Sequence, residues 1–89
     1  MEIMRVVDDL VCTRRVPGLK LSSLRVLEAL KGGFVVATDP VGAKPGNWVF
    51  LASGSAARYA AGDFEILTDL TIAGIIDEWT PEETIEVAS

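Results

Sequence analysis

At 89 residues, 49% of them apolar and none of them histidine, the chain is sized for one small domain and poor in the side chains that most catalysis needs. Ser-His and Cys-His nucleophile pairs, imidazole-built zinc sites and the usual neutral-pH general base are excluded. The net charge of −5 sits at the C-terminus: residues 77–89 hold Asp77, Glu78, Glu82, Glu83 and Glu86 with no Lys or Arg, so the body is neutral and lacks the basic excess of a duplex-binding protein.

No apolar run approaches the roughly 18 residues of a membrane span. The opening Met1-Glu2-Ile3-Met4-Arg5 carries no basic segment leading into a long apolar one, so no secretory signal is read and the cytosol is expected, without membrane contact. A core this small is marginal alone, and contacts between copies are an obvious supplement. Cys12, the single cysteine, cannot form an internal disulfide. It is expected as a small buried or half-buried side chain in a strand.

In chain order, Glu2–Thr13 alternates, with Met4, Val6, Leu10 and Cys12 on one side and Ile3, Arg5 and Val7 on the other. Asp8 breaks the series and implies a bulge or bend. Arg14–Lys20, with its Pro17-Gly18 pair between cations, reads as an exposed loop. Leu21–Leu30 and Phe34–Thr38 read as strands paired antiparallel through Lys31-Gly32-Gly33. A helix over Leu24–Lys31 is the alternative, since Leu24, Leu27 and Lys31 would share a face.

Asp39–Asn47 has two prolines and two glycines in nine residues and is expected as a structured loop. Trp48–Ala52 is a short, heavily apolar strand of central character. Ser55–Ala61 is the convincing helix: alanine-rich, capped by Ser53 or Ser55, and ended by Gly62 in the left-handed conformation. Asp63–Thr68 leads to a last strand, Leu70–Trp79. Thr80-Pro81-Glu82-Glu83 has the order of a helix start, expected as a frayed turn or extended tail. The division is therefore a domain at 1–79 and an acidic C-terminal tail at 80–89.

Few groupings of residues point to chemistry. Gly42-Ala43-Lys44-Pro45-Gly46-Asn47 lacks the Gly-Lys-Ser/Thr ending and following helix of a phosphate loop. Asp39, Asp63, Asp69 and Asp77 lack the spacing of a calcium loop. Asp69 and Asp77 bracket the last strand on one side, as turn formers rather than a catalytic pair. Trp48 and Phe50 have no interleaved cation and are assigned to the core rather than to a base-stacking face. Arg58 follows Gly54-Ser55-Ala56-Ala57, and small residues beside a planar guanidinium suit a surface where backbones approach closely.

Five strands and one short helix predict a mainly β fold, a small five-stranded OB-like barrel. The residues that carry a resemblance are Met1–Thr13, Asp39–Val49, Gly54-Ser55-Ala56-Ala57-Arg58 and Asp69–Asp77 with its Gly-Ile-Ile-Asp ending. In this order they resemble the EutN/CcmL family of bacterial microcompartment vertex proteins. Arg14–Lys20 and Gly62–Asp69 resemble the alpha-carboxysome branch most.

That resemblance implies an OB-like barrel in a cyclic homopentamer at the fivefold vertices of a polyhedral shell. It implies hexameric carboxysome shell proteins as partners, RuBisCO and carbonic anhydrase as shell contents, and a structural role in carbon fixation without enzymatic activity. No cofactor, metal or nucleic acid is implied. By position it assigns Ser53, Gly54, Ser55 and Arg58 to the pore or subunit interface, with Ala56 where a second serine is common. The alternatives on residue types alone are an OB-fold nucleic-acid-binding module and an accessory subunit docked through its acidic tail.

Overall fold

The computed structural model describes residues 1–12, 14–20, 22–63 and 65–78. Five strands run in chain order as β1 (Glu2–Asp9), β2 (Leu24–Ala29), β3 (Phe34–Thr38), β4 (Trp48–Ser53) and β5 (Leu70–Ile76), with one helix, α1 (Ser55–Ala60), between the last two. They close as a barrel in the order β1-β2-β3-β5-β4. The expected mainly β, OB-like barrel with one short helix is the observed fold.

The β2–β3 hairpin is antiparallel from Leu24↔Thr38 to Glu28↔Phe34, so the helical alternative for Leu24–Lys31 is excluded. Closure depends on a short parallel contact, Thr38↔Thr71, between β3 and β5. By contrast, β5 runs antiparallel along β4 from Trp48↔Ile76 to Ser53↔Leu70. Such a seam holds best when side chains reinforce it, and here they do. Thr38 Oγ1 lies 2.7 Å from Thr71 Oγ1 and 3.2 Å from Thr68 Oγ1, while the Thr71 hydroxyl donates to the Ala57 carbonyl at 2.7 Å. Thr71 is fully buried, so a hydroxyl there must find partners, and it binds the seam to the helix.

Each strand contributes alternate residues to the interior, as its pleat requires. The core gathers Met4, Val6, Leu27, Ala37, Val49, Leu51 and Ile72, together with Ala43 from the loop between β3 and β4. Trp48 and Phe50 alternate with Val49 and Leu51 and are half-buried on the outer side, which corrects their expected place in the core. The period of two, not the apolar composition of the run, decides which face is inside.

β1 shifts register between Val6 and Asp8, the irregularity that Asp8 implied. The strand ends at Asp9 rather than at Thr13. As a result the alternation does not carry on: Leu10 is half-buried and Cys12 is exposed, which corrects its expected burial in a strand. Pro17–Leu19 forms a 3₁₀ turn within the exposed loop. β2 is shorter than expected at its start, and β5 ends at Ile76, before Asp77 and Glu78. The expectations for Trp79, the helix start at Thr80 and the acidic tail at 80–89 lie outside the described residues. Among the described residues, no helix is long and apolar enough to cross a membrane.

Candidate functional site

The four residues that the resemblance assigns to the pore or subunit interface lie where β4 turns into α1. Ser53 closes β4 opposite Leu70, and the Gly54 amide donates to the Asp69 carbonyl at 3.0 Å, so the start of β5 fixes the turn into the helix. Neither serine caps that turn, contrary to expectation. The N-cap position is Gly54 itself, at φ 62 and ψ −141, with no side-chain cap bond. Ser53 still belongs to the strand and Ser55 is already helical. A residue with a Cβ between them would be strained at this φ, which explains why glycine stands there.

Ser53, Gly54 and Ser55 are all exposed, while Arg58 is half-buried. Ser55 and Arg58 are three positions apart and share one side of the helix. Arg58 lines a shallow cleft with Leu67, Thr68 and Asp69. The structure therefore brings the four residues to one corner of the barrel. Ala57 is buried beneath the helix, and Gly62 ends it at φ 93 as expected, its amide donating to the Tyr59 carbonyl at 3.0 Å.

Two polar assemblies went unrecognised in the sequence. In the first, the Asp39 carboxylate, wholly buried, accepts from the amides of Val41 and Gly42 at 2.9 Å and of Ala43 at 2.8 Å, and pairs with Arg25 Nε at 3.0 Å. Arg25 also donates to the Ala43 carbonyl at 3.0 Å and lies 3.3 Å from Asp9. The carboxylate is thus the organising centre of the loop between β3 and β4. An aspartate immediately before Pro40-Val41-Gly42 was the available signal, since Asp side chains readily bind the amides that follow them in a turn.

The second assembly joins two loops beside the helix. Lys20 Nζ lies 2.5 Å from Asp63 and 3.5 Å from Glu65, and the Leu67 amide donates to the Gly18 carbonyl at 2.8 Å. Its hydrogen bond to Asp63 raises the Lys20 pKa above its ordinary value. The same bond, aided by the Glu65 amide, lowers that of Asp63. Lys20 also edges a cleft of about 340 Å³ with Ser22, Ser23, Thr38, Asp39 and Ile66. The charged groups named in both assemblies have protein partners that serve the fold. Among the described residues, no group of three or more His, Cys, Asp or Glu side chains is placed to hold a metal ion.

Comparison with known proteins gives this corner its context. Residues 1–77 match the family described as ethanolamine utilisation protein EutN/carboxysome. The chain is 65% identical over 79 residues to the carboxysome shell vertex protein CsoS4B of Halothiobacillus neapolitanus, covering 89% of this chain and 98% of that one. The solved structure of CsoS4B from Halothiobacillus neapolitanus superposes with a TM-score of 0.82 at 64% identity, covering 88% of this chain and all of that one. A more distant structure, the GrpN pentameric microcompartment shell protein from Rhodospirillum rubrum, superposes with a TM-score of 0.76 at 27% identity over 90% of this chain and 98% of that one. The chain belongs to the EutN/CcmL family, and within it to the alpha-carboxysome shell vertex proteins.

Proposed function

We propose that five copies of this chain form a cyclic pentamer that occupies the fivefold vertices of an alpha-carboxysome shell, a structural role in carbon fixation with no enzymatic activity. The observation that carries this reading is the closed barrel itself, shared along nearly its whole length with a carboxysome shell vertex protein. A flat layer of hexagonal units closes only where fivefold units introduce curvature. A vertex subunit therefore works by shape, which is consistent with a chain that has no histidine and uses its buried Asp39 and Thr71 to hold loops and seam together.

The ring needs head-to-tail contacts, one patch of each copy meeting a different patch on the next. Ser53, Gly54, Ser55 and Arg58 are the proposed axial or interface segment, because they are clustered at one corner and three of the four are exposed. The flat sides of the pentamer meet hexameric carboxysome shell proteins. Native mass spectrometry at micromolar concentration tests the assembly. A species of five times the 9.5 kDa chain mass is expected, and a stable monomer would overturn the proposal. Removal of the protein from its host is expected to leave shells elongated or unclosed, and normal closed shells would argue against the vertex role.

A further inference from the structure

We draw no further inference here: the strongest candidate, the exposed apolar surface of the β2–β3 hairpin around Leu30, Phe34 and Val36, carries nothing because nothing in the structure shows what covers it.

Discussion

Arg25 Nε stands 3.0 Å from Asp39 Oδ2, a half-buried guanidinium on β2 against a wholly buried carboxylate at the end of β3. The pair fastens the loop between β3 and β4 to the sheet, and that loop supplies Ala43 to the core. Burying a lone charge is costly, so this contact matters less for its attraction than for what its loss leaves behind.

Asp39→Ala leaves Arg25 with the more exposed Asp9, at 3.3 Å, as its carboxylate partner and leaves three loop amides without their acceptor. The expected loss is about 2–4 kcal/mol of stability, chiefly from the orphaned amides. Asp39→Asn keeps an acceptor for some of those amides while discarding the charge, and is expected to cost about 1–3 kcal/mol. Urea denaturation at a fixed protein concentration measures both. An alanine variant as stable as the parent would refute the assigned role.

A second relation is steric. A Cβ built on Gly74 would lie 2.3 Å from Phe50 Cε1 and 2.5 Å from Cζ, because the Phe50 ring lies across the glycine opposite it on β5. Gly74→Ala must displace that ring, at an expected cost of about 1–3 kcal/mol. Phe50→Leu made in the Gly74→Ala background should recover part of the loss. Strictly additive losses in the double variant would show that the ring is not the source.

These two relations show what the sequence made legible and what it did not. The strands, the β1 irregularity near Asp8, the antiparallel hairpin and the helix ending at Gly62 follow from local pattern and turn chemistry, which one stretch of chain expresses by itself. The barrel closure at Thr38↔Thr71 does not, since it joins residues far apart in sequence through hydroxyls that look like ordinary strand threonines. The expected burial of Cys12 fails because the alternation stops where β1 ends, at Asp9. The expected core place of Trp48 and Phe50 fails because an unbroken apolar run hides which parity faces inward. For the proposed interface, residue types singled out Arg58 as a candidate, while the resemblance assigned it with Ser53, Gly54 and Ser55. Only the fold shows that Asp69 holds the turn beneath them.

The loop clasp has a defined pH window. The Asp63 pKa is lowered, so its contribution is present above the ordinary 3.8 and is lost as pH falls through the folded value. The Lys20 pKa is raised, so its contribution is present below the ordinary 10.5 and is lost as pH rises through the folded value. Carboxyl NMR should give Asp63 a midpoint below 3.8, moving up toward it in Lys20→Gln. An unchanged midpoint in that variant would remove Lys20 as the main cause.

The threonine seam has a direction that can be tested. Because Thr71 donates to the Ala57 carbonyl, its oxygen is left to accept from Thr38. Thr71→Val removes both bonds in a fully buried position, yet Ala57 keeps the Ala61 amide at 3.0 Å and Thr38 keeps Leu70 and Thr68 within reach. The expected cost is therefore about 1 kcal/mol, nearer that of one net hydrogen bond than of an orphaned polar group. A loss several times larger, measured by thermal or urea unfolding, would mean that Thr38 finds no other partner.

Arg58 is the proposed link between the fold and the assembly. It sits on the same side of α1 as exposed Ser55, in a cleft with Leu67, Thr68 and Asp69. Arginine in a desolvated contact between subunits commonly costs about 2 kcal/mol or more when lost. Arg58→Glu reverses the charge and adds repulsion against any carboxylate it meets. The expected result is a dissociation of the pentamer at least tenfold easier, seen by native mass spectrometry across a dilution series. Far-UV circular dichroism should remain that of the folded barrel, which separates a broken interface from a broken subunit. A variant that keeps its five-subunit mass through the same dilution would exclude Arg58 from the interface, leaving Ser53, Gly54 and Ser55 to be tested separately.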